Sequence, residues 1–284
     1  MNSKGKYRIK CIISSILSFL ICLLSFFLIF LVIAKITILN ENFMVKTMNK
    51  SNFYYQVKNE LAEQMAVYEG TSGFNNNFFN NAIDINMVEK DAKIIVHNIY
   101  SNNNEIIDVS EFKKVLYDKF MEEANTREDN ITNETQKSLE YFAQTCAETY
   151  LNIIKVPFSN QVSLLINSFV KPVNIAILAL SGSILFIALF MFLISKSNSV
   201  RYFIYALESE FLFAIIIPTV YFISGKINNI PIINQALRNF AIFYVNRILY
   251  HFIYIAIIIL LLIIILLIIY GKTLKKVKKI SSNQ

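Results

Sequence analysis

Tryptophan is absent from this chain of 284 residues, and glycine, proline, cysteine and histidine number only 6, 4, 3 and 2. So few glycines and prolines argue against a β-barrel or a loop-rich fold and for helices throughout. Two histidines far apart, His97 and His251, do not make a histidine-based metal site. Cys11 and Cys22 fall in the first apolar run, which leaves Cys146 alone in the polar middle of the chain. No disulfide can form within that middle segment, and no cysteine spacing suits zinc. Charge is scarce as well, at 17%, where a soluble domain carries about a quarter. Recognisable reaction motifs are missing too: there is no Walker sequence, HExxH, GxSxG, CxxC or dinucleotide fingerprint. The expectation is therefore a protein that is not an enzyme, with no catalytic residue, no cofactor and no metal.

What the chain has instead is apolar length. Hydrophobic residues make up 55% and the mean hydropathy is +0.47. Cys11 to Ala34 runs without a charge; as a helix it would span about 36 Å, enough for a hydrocarbon core of about 30 Å. A signal peptide has a shorter apolar core, of about 7–15 residues, so this run reads as a retained anchor.

The formal charge of +7 conceals an asymmetry. Residues 40–172 hold 12 Lys and Arg against 18 Asp and Glu, a balance of −6, while the rest, with 15 basic and 2 acidic residues, stands at +13. The basic residues sit in short clusters beside apolar runs, where the positive-inside rule places them. They point to a lipid bilayer as partner and give no case for nucleic acid.

The fold class read from these patterns is an all-α integral membrane protein. It has four transmembrane helices, with a large extracytoplasmic helical bundle between the first and second. In order, the expected segments are a basic N-terminus (1–10), the first span (11–39), the extracytoplasmic domain (40–172), and the second span (173–195). A cytoplasmic loop (196–201), the third span (202–224), an external loop with an interfacial helix (225–247), the fourth span (248–270) and a basic tail (271–284) follow. Lys196 and Arg201 on one loop, with the basic termini, put both termini on the cytoplasmic side of the cell membrane. In the second span, Ala176, Ala179 and Ser183 recur at helical spacing and suit close helix contact in lipid. Pro218 interrupts the third.

Within 40–172 the apolar residues recur at helical spacing. The first helix is expected over 52–68, with Ser51 as N-cap, Gly70 as stop, and a stripe of Tyr54, Val57, Leu61, Met65 and Tyr68. After an Asn-rich connection over 71–81 with a Phe78–Phe79 plug, a second helix opens near Asn86, whose spacing to Glu89 resembles a capping box. Its stripe is Val88, Ala92, Ile95 and Ile99, and a loop over 101–104 follows. A third opens near Asp108 and carries Phe112, Leu116 and Phe120; residues 127–130 break it. A fourth spans 133–154, with Leu139, Phe142, Cys146, Tyr150 and Ile153 facing inward and Pro157 beyond it. Val162, Leu165 and Phe169 mark a last amphipathic stretch. Short polar loops between such helices are the pattern of a bundle.

Candidate functional groups are few. Glu208 and Glu210 are the only acidic residues outside 40–172, and both fall inside the third apolar run. Ionisable groups at membrane depth are costly and mark ion or proton paths. Against that, Glu208 could reach back toward Arg201 past Tyr205 and the interface. Residues two apart point to different faces, so the two glutamates do not form one site. Arg247 and His251 lie one turn apart among Tyr244, Tyr250 and Tyr254, the composition of an interfacial aromatic belt; the competing reading is a pH-sensitive or anion site. His97, off its helix's stripe, reads as solvated. The acidic surface of 40–172 reads as a solvated helical face. The function expected from all this is ligand sensing or scaffolding of a membrane complex by the extracytoplasmic domain, with a protein partner or a second copy of the chain. The alternative is an oligomeric transporter or channel subunit that uses Glu208 and Glu210.

Overall fold

Asparagine sets the first break in the polar segment. Asn40 in extended conformation caps the helix Glu41–Lys50 by accepting from the Phe43 amide at 3.2 Å. Asn52 then takes φ of +55°, a left-handed conformation that asparagine tolerates better than branched residues. A new helix, Phe53–Ala66, starts there. Ser51 therefore closes the Glu41–Lys50 helix and is not the N-cap of the next.

The computed structural model describes residues 3–68, 74, 77–103, 108–127, 131–154, 159–225, 231, 232 and 234–281. Gly70, residues 71–73, Asn104, residues 128–130, Pro157 and Lys226 lie outside the described residues. Described residues are helical almost throughout, with no strand among them. In chain order the helices are α1 (Ser3–Ile36), α2 (Glu41–Lys50), α3 (Phe53–Ala66), α4 (Phe78–Ala82), α5 (Ile85–Ser101) and α6 (Ser110–Thr126). They continue with α7 (Asn133–Ile154), α8 (Ser159–Ser195), a 3₁₀ turn (Lys196–Asn198), α9 (Ser199–Ser224) and α10 (Gln235–Ser281). Among the described residues four stretches are long and apolar enough to cross a membrane: Tyr7–Ile36, Asn160–Ser195, Ser199–Ser224 and Gln235–Lys272.

The chain divides into two compact units. The first holds residues 1–38, 169–229 and 245–284. Here α1 packs chiefly along α9. Ile21 and Cys22 of α1 bury against Met191 and Ala206, and Ile204 buries against Ile259 and Ile263. Small hydroxyls tie the helices: Ser14 bonds Ser195, and Ser18 donates to the Tyr202 carbonyl at 2.7 Å. In an apolar setting such bonds hold helices together where the hydrophobic effect cannot. The second-span face that packs consists of Ile184, Ile187, Ala188 and Met191. Ala179 and Ser183 are exposed instead, so the small-residue stripe is not the contact face. Leu178, Phe186 and Leu193 are each more than 70% exposed; an apolar outer surface of this kind suits lipid as solvent.

The second unit holds residues 39–168 and 230–244. Its core is one apolar cluster drawn from α2 to α8 and the start of α10. Val88, Ala92, Ile95 and Ile99 are all buried, as are Phe112, Leu116 and Phe120, and Cys146, Tyr150 and Ile153. One cap differs from expectation, and the one at Asp108 agrees with it. Asp84, not Asn86, opens α5, accepting from the Asn86 amide at 2.9 Å. Asp108 accepts from the Ser110 amide at 2.9 Å to open α6.

Two contributions to this core are not visible in the periodicity. At the start of α8 the inward residues are Ser163 and Ile166, while Val162, Leu165 and Phe169 are exposed. A polar pair explains the rotation: Asn167 donates to the Ile99 carbonyl at 3.3 Å, and Ser163 donates to Asn102 at 3.3 Å. The first turns of α10 also enter the core through Ala236 and Phe240. Glu60 accepts from the Ala236 amide at 3.2 Å, one of the orphan donors at that helix start. Gln56 accepts from the Asn239 amide side chain at 2.8 Å, and Phe53 meets Phe240 at 5.3 Å.

Candidate functional site

Along α9 the buried positions Ala206, Glu210, Ala214 and Pro218 recur every four residues and form one stripe. Glu210 therefore turns into the helix packing, at 6% exposure, whereas Glu208, two residues earlier, is exposed. The two carboxylates are on different faces, and the structure brings them to no common site. Around Glu210 the lining is aromatic and aliphatic: Phe26, Ile29 and Phe30 of α1, Phe213, Ala214 and Ile217 of α9, and Phe252 of α10. The cavity they leave is about 10 Å³, room for about one water. Ser25 of α1 is the hydroxyl that meets the carboxyl. Among the described residues no basic side chain lines the cavity. A lone carboxyl with one hydroxyl in such walls can carry a proton or hold one small cation.

Arg201 is exposed and does not pair with Glu208. Its Nε donates to the Tyr205 hydroxyl, and its guanidinium lies 5.3 Å from the centre of the Tyr205 ring. The tyrosine face satisfies the cation in place of a carboxylate. Arg247 and His251 lie one turn apart on α10. His251 Nδ1 is 2.8 Å from the Arg247 carbonyl, and its ring meets Tyr254 edge-on at 6.0 Å. Tyr250 and Tyr254 are largely exposed, as an aromatic belt requires. His97 is not simply solvated: its Nδ1 lies 3.1 Å from Glu41 of α2. Among the described residues no three His, Cys, Asp or Glu side chains gather closely enough to hold a metal.

The second unit contains a buried polar pair that residue spacing did not single out. Asp91 lies on the inner face of α5, three residues after Val88 and four before Ile95; that position was the available signal. The Tyr150 hydroxyl of α7 donates to its Oδ2 at 2.6 Å. Tyr150 is fully buried and stacks on Phe112, rings 4.0 Å apart and 7° from parallel. Burial lifts the Asp91 carboxyl above its ordinary 3.8, opposed by the Tyr150 hydrogen bond and the Lys90 charge. Burial likewise lifts the Tyr150 phenol, and Asp91 adds to that. The Cys146 thiol, without exposure, is pushed up to about 12 by desolvation; such a thiol is inert while the core is closed.

Compared with known proteins, the chain matches no protein-family model, no curated protein and no solved structure.

Proposed function

We propose that this is a non-enzymatic multi-pass protein of the cell membrane, with both termini cytoplasmic, whose second unit stands outside and binds a ligand or holds a partner protein. The observation that carries the reading is the closed core of that unit. Residues 39–168 and 230–244 bury a continuous apolar cluster of their own, and among the described residues four stretches, two of them starting within that unit, are long and apolar enough to span lipid. The basic clusters beside those stretches support the sidedness.

Labelling tests the sidedness. Ser101 is exposed at the end of α5. In a chain with Cys11 and Cys22 replaced by alanine, Ser101→Cys should react with an impermeant maleimide on intact cells, while buried Cys146 stays unlabelled. Reaction only after permeabilisation would end the proposal.

The burial of Glu210 favours one second reading, an oligomeric transporter or channel subunit. On that reading Glu210→Gln abolishes most proton or cation flux in liposomes, and Glu208→Gln, on the exposed face, leaves it unchanged. Absence of flux in the wild type, or flux insensitive to Glu210→Gln, would remove it.

A further inference from the structure

On the second unit, an open groove of about 280 Å³ runs between the outer face of α3 and the short helix α4. Small-molecule sites range upward from roughly 300 Å³, so the groove suits a ligand of one or two small rings. Tyr55, Asn59, Ala62, Glu63 and Ala66 come from α3 at the spacing of one helical face, and Asn77 and Asn80 come from the other side. The buried residues Tyr54, Val57, Leu61 and Met65 hold α3 in the core from behind, and Ala62 at the floor of the groove is buried with them.

The lining specifies the chemistry. Three carboxamides each present two donors and an acceptor, and one phenol and one carboxylate add to them. The side chains of Tyr55, Asn59, Glu63 and Asn80 make no hydrogen bond or ion pair among the described residues, so that capacity is open to a ligand. Among the described residues no lysine or arginine lines the groove, which disfavours an anion. The apolar part is two alanine methyls and the exposed Tyr55 ring, too little for a lipid or an aromatic ligand. One carboxylate is too few for a firm calcium or magnesium site. An extended peptide could use the amides, but Ala62 and Ala66 form no pocket for its side chains. What remains is a ligand dense in hydroxyls and neutral, with one apolar ring face to lay on a tyrosine.

We infer that this groove binds a neutral saccharide of one or two rings, with Asn59, Asn80 and Glu63 bonding its hydroxyls and Tyr55 stacking on the ring. The inference deepens the proposed function and rests on the second unit facing outward, where such glycans occur. The full chain in lipid nanodiscs, free of sugar-headed detergent, is probed by saturation-transfer nuclear magnetic resonance. The probes are maltose, lactose, the disaccharide of N-acetylglucosamine, and tri-alanine. At least one sugar should show transfer. In Tyr55→Ala and in the double variant Asn59→Ala/Asn80→Ala its affinity should fall about tenfold or more, as two lost hydrogen bonds imply. Unaltered Cys146 protection in the same variants shows that the fold is intact. Transfer to no sugar, transfer to tri-alanine alone, or equal transfer in the folded variants overturns the site. External labelling of Ser101→Cys without sugar binding sinks this inference and leaves the proposed function standing; failure of that labelling sinks the proposed function first.

Discussion

Phe120→Ala is expected to destabilise the second unit by about 3–5 kcal/mol, the usual cost of emptying a buried phenylalanine site. Phe120 has no exposure and sits at the meeting point of several rings. Phe74 and Phe142 stack on it, each at 5.0 Å, and Phe78 lies at 5.6 Å. Phe79 meets it edge-on at 6.0 Å. These rings come from α4, α6, α7 and residue 74, so the truncation strips contacts from several elements at once. Packed aromatic pairs add about 0.5–1.5 kcal/mol beyond their area, and a fixed cluster cannot collapse readily into the void. The readout is the labelling rate of Cys146 under mild denaturant, in a chain lacking Cys11 and Cys22. Opening exposes the thiol, so the predicted loss raises the rate by on the order of a hundredfold to a few thousandfold. Tyr141→Ala, at 76% exposure on the neighbouring face of α7, should shift stability by no more than about 0.5 kcal/mol. Equal rates for Phe120→Ala and Tyr141→Ala would show that the aromatic cluster does not hold the unit together.

The second large effect belongs to the Asp91–Tyr150 pair, where two conservative changes should separate. Tyr150→Phe keeps the stack on Phe112 but removes the donor at 2.6 Å. It leaves a buried carboxylate short of a partner, at a cost of about 1–3 kcal/mol. Asp91→Asn keeps an acceptor for the phenol and removes the buried charge, so at neutral pH it should cost less than Tyr150→Phe. The pH dependence follows from the sign of the shift. Asp91 titrates above its ordinary 3.8 because burial disfavours the charged form, with Glu111 adding a smaller push and Tyr150 and Lys90 opposing. A carboxyl raised on folding binds protons more tightly in the native state. Its contribution to stability is complete below 3.8 and is lost as pH rises through the folded value. Wild type should therefore carry a falling component of stability across that window, and Asp91→Asn should lack it. Urea midpoints, read from near-ultraviolet circular dichroism of the tyrosines at about pH 3 and about pH 6, test this. A wild type and Asp91→Asn with the same pH slope would mean that the Asp91 carboxyl titrates as it does unfolded.

How much of this was legible in the chain depended on contrast along each helix. Where polar and apolar residues alternate at 3.6-residue spacing, the stripe could be read directly. Val88 to Ile99 and Phe112 to Phe120 are buried as their spacing required, and Asn133–Ile154 has the expected limits. A helix start near residue 52 was expected, but the helix before it, Glu41–Lys50, was not. A left-handed asparagine carries no sequence mark that distinguishes it from any other asparagine.

In the apolar runs that contrast vanishes. Helices α8 and α9 are apolar all round, so no side is preferred until a partner arrives. Their spacing could show that Glu208 and Glu210 point apart, but only the packing of α9 on α1 selected Glu210 for burial. The same holds where the start of α10 joins the second unit through Glu60, Gln56 and Phe53, residues 176 to 187 positions earlier in the chain. The sequence by itself determined an all-helical chain with four membrane-length apolar stretches and an acidic middle, because hydrophobic length and period are local quantities. The tertiary structure alone decided which faces meet, which carboxyls are buried, and where the Asn-lined groove opens. Those depend on partners distant in the chain, and no local pattern encodes them.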